Sequence, residues 1–166
     1  TKSAMEKLVG NKNLDVVSLV KAKQDIAFQL MSNSLDLIFP SMIDVLTEFR
    51  SRCYISLVTS GSDRTKDMVL EKYNIKHLFD FVITSADVKN AKPYPDIYEK
   101  AVEESRISKE RSIVVEDSLN GVIAANQAKL RVIGFGETEP AIKSRTISNA
   151  ENWNELGNQL KNYFHE

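Results

Sequence analysis

Apolar residues recur at three- and four-residue steps through Val16, Val17, Leu19, Val20, Ile26, Ala27, Leu30 and Met31, with Lys21, Lys23, Gln24 and Asp25 between them. This spacing predicts an amphipathic helix from Leu14 to Met31, following the capping-type stretch Asn11-Lys12-Asn13. Its charges are mixed, which favours packing against another helix over lying on a membrane surface. Ser32-Asn33-Ser34 breaks the pattern, and Pro40 opens a second helix that runs to Arg50 and turns Met42, Ile43, Val45, Leu46 and Phe49 inward. From there the periodicity alternates. Strands are expected at Tyr54–Val58, Phe81–Thr84, Ser112–Val115 and Arg131–Phe135, with a further edge strand near Thr146–Ser148. Helices are expected between them: Asp63 to about Tyr73, capped by Ser62 and ended at Asn74; Pro95 to about Ser105; and Leu119 to Lys129. Trp153, Leu156, Leu160 and Phe164 mark a terminal helix.

Strands alternating with helices of this length predict an α/β fold, a doubly wound, Rossmann-like parallel sheet. No internal repeat or low-complexity linker divides the chain. The only plausible boundary lies near Asp36 to Pro40, giving residues 1–36 to a partial helical cap and residues 37–166 to the α/β core. Composition changes little. Hydrophobic residues make up 42% and charged residues 27% of the 166, ordinary globular values. With 22 basic and 23 acidic residues and no long run of either sign, the chain carries no nucleic-acid footprint and none for an anionic membrane. Cys53 has no partner for an internal disulfide and reads as a small buried hydrophobe, consistent with a reducing compartment. No apolar run is long enough to span a bilayer, and a soluble, cytoplasmic protein is expected.

The chemistry gathers at the carboxyl ends of the strands. Ser112-Ile113-Val114-Val115-Glu116-Asp117-Ser118-Leu119-Asn120-Gly121 reads as a buried strand ending in two adjacent acids. In an open parallel sheet that edge is where ligands bind. Two carboxylates placed there without a counter-charge repel each other, and Mg²⁺ suits them by charge and hardness. Thr59-Ser60-Gly61-Ser62 offers hydroxyls and, if it opens a helix, free N–H groups suited to a phosphate. Lys92, between Ala91 and the stiff Pro93-Tyr94-Pro95, offers a cation. Each of the three has an ordinary reading as a turn, a solvated lysine or a capped helix; their order along the chain is what distinguishes them. Ser118 and Asn120 read as first-turn polar groups that orient the acids or cap the helix, and Gly121 as a point of close packing. His77 and His165 read as solvated, and Trp153 and Phe164 as core or edge cover.

A strand ending in Thr, then Lys-Pro-x-Pro-Asp-x-Tyr, then four hydrophobics and Glu-Asp-Ser-x-x-Gly, resembles the second, third and fourth motifs of the haloacid dehalogenase superfamily. The likeness runs from about Leu14 to Phe164 and is strongest to the branch of sugar phosphatases and β-phosphoglucomutases with a helical cap. It implies that Thr59 hydrogen-bonds the transferring phosphoryl group with help from the Ser60 backbone and Gly61. It also implies that Lys92 neutralises phosphate charge, that Asp117 ligates Mg²⁺, and that Glu116 supports that ligand directly or through water. The implied activity is Mg²⁺-dependent hydrolysis of small phosphorylated metabolites, sugar phosphates above all, with a phosphoglucomutase-like isomerase or an inactive phosphate-binding module as alternatives.

One motif of that family is missing. Its first motif is an apolar strand ending in Asp-x-Asp ahead of the cap, and no two of the ten aspartates here stand two apart. The chain also opens Thr1-Lys2-Ser3-Ala4-Met5, without an initiator methionine. The expectation is therefore a piece of a longer protein, inactive alone and lacking the first strand of its sheet; the rival is a form that cannot run the reaction. Two strands should then show bare edges and part of the cap helix should lie uncovered, to be covered by an N-terminal segment, a second polypeptide or a swapped neighbour.

Overall fold

The computed structural model describes residues 15–136 and 139–164. The stretch Asn11-Lys12-Asn13, residues Leu14, Glu137 and Thr138, and His165 lie outside the described residues. Twelve elements follow in order: α1 (Val16–Asn33), α2 (Pro40–Arg50), β1 (Ser56–Thr59), α3 (Asp63–Lys72), β2 (Phe81–Thr84), α4 (Asp96–Ser105), β3 (Ile113–Glu116), α5 (Leu119–Gln127), β4 (Arg131–Phe135), α6 (Pro140–Lys143), β5 (Ser148–Ala150) and α7 (Trp153–Phe164). All strand pairs are parallel, with a helix crossing between consecutive strands, as the alternation predicts.

The strands carry apolar residues toward both faces of the sheets, which explains the near-continuous apolar runs of β1 to β4. Val58 and Ile83 turn to one side and Leu57 and Val82 to the other, following the two-residue alternation of a pleated strand. On the first face Val114 and Val132 meet Ile97, Tyr98 and Ala101 of α4 and Val122, Ala124 and Ala125 of α5. On the second, Met42, Ile43 and Leu46 of α2 cover Leu57 and Val82, while Leu156 and Leu160 of α7 cover Ile133 and Ala150.

In one respect the sheet differs from a continuous doubly wound sheet. It is divided into a two-stranded β1-β2 sheet and a three-stranded β3-β4-β5 sheet. Thr59 pairs with Thr84 on one side of the division and Glu116 with Gly134 on the other. The free edges of β1 and β3 face a single cavity of about 1120 Å³, and Val115, in the middle of β3, is 38% exposed.

Local boundaries moved for identifiable reasons. The cap of α1 is Asp15, whose carboxylate accepts from the N–H groups of Val17 and Ser18. Strand β1 begins at Ser56, two residues after the expected start, because Ile55 bonds Asp80 through both its N–H and its carbonyl. The edge strand is Ser148–Ala150: Ser148 is the first residue in register with β4, whereas the Thr146 hydroxyl donates to the Lys143 carbonyl. Helix α3 is capped by Ser62 and ended by Asn74 at φ 50°, as expected.

Helix α1 has no buried residue, and Val17, Ile26 and Leu30 are exposed. It is tied to α3 by polar contacts instead. Arg64 pairs with Asp25 at 3.0 Å and lies 3.7 Å over the Phe28 ring, and Lys72 donates to the Ser32 carbonyl. Among the described residues no helix is long and apolar enough to cross a membrane.

Candidate active site

Glu116 is the last residue of β3 and, at 8% exposed, one of two buried polar or charged residues among those described. Its carboxylate is surrounded by donors. Oε1 accepts from Lys92 Nζ and from the Tyr98 hydroxyl at 2.7 Å. Oε2 accepts from the backbone N–H of Asp117 and of Ser118, both at 3.1 Å, and from the Ser118 hydroxyl at 2.9 Å. Burial alone would raise the pKa of this acid, but Lys92 and the hydrogen bonds hold it below the usual glutamate range. Glu116 is thus a buried anion whose acceptor sites are occupied by protein groups.

The sequence reaches this arrangement by short steps. Ser118 caps α5 by accepting from the Gly121 N–H at 3.1 Å while donating to Glu116, so the capping and orienting readings of Ser118 both hold. Gly121 presses against the same carboxylate, and a Cβ there would overlap it. Gly121→Ala is therefore expected to displace Glu116 and to cost about 2 kcal/mol or more, read as a lower urea midpoint at unchanged slope. Lys92 is delivered by the loop between β2 and α4, through a cis Lys92-Pro93 bond. Asp96 ties that loop down by accepting from the N–H and the side-chain amide of Asn90 at 3.1 and 2.9 Å.

Asp117, next along the chain, is exposed. Across the sheet division Thr59 ends β1, and its hydroxyl oxygen accepts from the Gly61 N–H at 3.0 Å, leaving its own proton to donate. Ser60 and Gly61 are exposed ahead of α3. Thr59, Ser60, Gly61, Lys92, Glu116 and Asp117 all line the same large cavity. Thr59 and Glu116 end their strands, and Lys92 is brought onto the Glu116 carboxylate from the loop before α4.

The fit to Mg²⁺ rests on Asp117. No group of three or more His, Cys, Asp or Glu side chains converges among the described residues. One exposed carboxylate lining a cavity suits an ion that takes one or two carboxylates and fills its remaining positions with water and substrate oxygens. Glu116, with five donors on it, accepts from the Asp117 backbone N–H at 3.1 Å.

Sequence reasoning gave no role to Tyr98, although it closes the Lys-Pro-x-Pro-Asp-x-Tyr stretch. The one signal available was its place in that stretch, six residues after the lysine and third in the helix that follows. Outside the site, Cys53 is half-buried and its thiol pKa is raised by burial, in keeping with a structural role. His77 is exposed. Trp153 packs on Phe135 with ring centres 4.8 Å apart, and Phe164 lies 5.8 Å from Phe49.

Comparison with known proteins bears on the whole arrangement. The family model for haloacid dehalogenase-like hydrolases matches residues 2–135. The chain belongs to that family. Among curated haloacid dehalogenase relatives, the protein CbbY of Cereibacter sphaeroides is 29% identical over 124 residues, covering 72% of this chain and 54% of CbbY. The phosphoglycolate phosphatase of Vibrio cholerae is 30% identical over 125 residues, 75% of this chain and 54% of that enzyme. This chain spans about half the length of these relatives. A crystal structure of CbbY from Rhodobacter sphaeroides in complex with phosphate superposes with a TM-score of 0.74 at 25% identity, covering 89% of this chain and 68% of CbbY. A candidate β-phosphoglucomutase from Thermotoga maritima shares the fold, with a TM-score of 0.75 at 24% identity over 92% of this chain and 72% of its own.

Proposed function

We propose that this chain is the phosphate-handling part of a Mg²⁺-dependent phosphohydrolase. Its substrates are small phosphorylated metabolites, sugar phosphates in particular, and it works through an aspartyl phosphate on an Asp that this sequence does not contain. The observation that carries the reading is the Glu116 cluster: a buried carboxylate at the end of β3 holds Lys92 and is followed in the chain by the exposed Asp117, and all three line the cavity that Thr59 also lines. A fixed ammonium, a hydroxyl donor and a free carboxylate at a strand end are the groups that phosphoryl transfer requires, because charge spreads over the equatorial oxygens of the transferring group.

In this reading Thr59 donates its hydroxyl proton to a phosphoryl oxygen, with the backbone N–H groups of Ser60 and Gly61 beside it. Lys92 uses its two remaining N–H groups on the same phosphoryl group. Asp117 holds the metal, and Glu116 fixes both Lys92 and the turn that presents Asp117. When bound, Mg²⁺ supplies positive charge to the phosphoryl oxygens. A neighbouring cavity of about 390 Å³, lined by Lys23 and Gln24 of α1 and by Ser60, Ser62 and Ser85, has the size and hydroxyl content for a polyol leaving group. Residues up to 36 act in this picture as part of a cap over residues 37–166. A strand from an N-terminal segment or a second chain fills the space between β1 and β3, its carboxyl end carrying the nucleophile.

The absence of Asp-x-Asp favours a second reading, a phosphate-binding module without catalysis. Calorimetric titration with Mg²⁺ tests the metal site common to both: binding is expected for the wild type and its loss for Asp117→Asn, while equal heats would end the metal assignment. Phosphate release from a panel of sugar phosphates by the complete polypeptide then separates the two. Turnover supports the phosphohydrolase, interconversion without release supports a mutase, and binding alone supports the module.

A further inference from the structure

We infer that Tyr98 is a positioning residue for phosphoryl transfer, acting through Glu116 on Lys92; the inference rests on the phosphohydrolase reading above. Tyr98, the third residue of α4, is 3% exposed and touches the cluster in two ways. Its hydroxyl donates to Glu116 Oε1 at 2.7 Å, the same oxygen that takes Lys92 Nζ. Its ring centre lies 4.9 Å from that Nζ. Burial and the Glu116 charge push the phenol pKa far above its usual value, so the hydroxyl stays a donor at any working pH.

The physical consequence concerns how much of the Lys92 charge is free. An ammonium bonded to a carboxylate that has no other donor on that oxygen is largely neutralised before substrate arrives. A second donor on the same oxygen draws off part of the negative charge, and more of the Lys92 field is left for a phosphoryl group. The ring face attracts the ammonium from another side without using an N–H, so two N–H groups remain for the ligand. The Tyr98 hydroxyl is taken up by Glu116, and its hydroxyl and its ring act on different properties of Lys92, charge and place. The two are separable by substitution.

Tyr98→Phe keeps the ring and deletes the hydroxyl, and Tyr98→Leu removes both. In the complete polypeptide hydrolysing a sugar phosphate, Tyr98→Phe is expected to lower kcat about tenfold with KM within about twofold, since the charge it tunes matters most in the transition state. Tyr98→Leu is expected to lower kcat further and to raise KM as well. Wild-type kcat in Tyr98→Phe, or a loss of kcat that tracks a loss of folded protein, would overturn the inference. A wild-type protein that releases no phosphate would strike the phosphohydrolase reading instead. The inference is then read from the Lys92 side-chain resonances by NMR of the same protein, assigned by their loss in Lys92→Arg. Ring-shifted signals are expected in the wild type and in Tyr98→Phe, broadened in the latter, and unshifted signals in Tyr98→Leu; identical signals in all three would overturn it.

Discussion

Glu116→Ala is expected to remove about 3–5 kcal/mol of stability, more than any other single truncation in the core of this site. Both side chains of the Lys92–Glu116 pair are 8% exposed, so deleting the carboxylate leaves an ammonium buried with no counter-charge. It also leaves the Tyr98 hydroxyl without its acceptor, and the N–H groups of Asp117 and Ser118 without theirs. Each orphaned donor that stays buried adds a desolvation cost of about 1–3 kcal/mol, offset where water enters. The pair itself does not make a matching net contribution, because separating two charges from water costs nearly what their attraction returns. A Lys92→Met, Glu116→Gln double variant is therefore expected to be much closer to wild type than Glu116→Ala. Urea unfolding of the three proteins checks this, and a loss below about 1 kcal/mol in Glu116→Ala would show that water reaches the pair freely.

The second large effect is expected from addition, not removal. Strands β1 and β3 each present a bare, parallel edge to the same cavity, and each is flanked on both faces by helices. A strand entering there finds backbone partners on both sides and apolar side chains above and below it. Trp153 Nε1 and Tyr163 OH, buried without hydrogen-bond partners among the described residues, line the same cavity. A polypeptide carrying an apolar strand that ends in Asp-x-Asp is expected to stabilise the chain by about 2.7 kcal/mol when present at 100 times its Kd. For a protein of this size that is a rise of about 5–10 °C in Tm. A thermal melt with and without that polypeptide reads it. A monomer that already melts cooperatively, with a midpoint unmoved by the added strand, would remove the case for completion.

Much of this could be seen in the residues themselves. The two-residue alternation and the helical spacing located β2, β4 and α7 to the residue, because those segments bury their patterned faces and nothing competes with the pattern. The ends of β1 and β5 moved because Asp80 and the β4 register, neither of them local, decide where pairing begins. The residue types at the strand ends marked Thr59, Glu116 and Asp117 as candidates, and only the resemblance of their order to haloacid dehalogenase motifs joined Lys92 to them.

What the sequence by itself determined is the parallel α/β pattern and the set of polar groups at its carboxyl edge, since both follow from periodicity and from the rarity of acids at the end of a buried strand. Only the tertiary structure decided which of those groups are buried and which are exposed. Adjacent acids in a sequence look equivalent, but β3 turns Glu116 inward among five donors and leaves Asp117 at the surface. Tyr98 acquires its place only when α4 packs against β3, and the open edges of β1 and β3 become one cavity only when both sheets are assembled around it. Burial and pairing between distant segments are properties of the packed chain, and no local pattern encodes them.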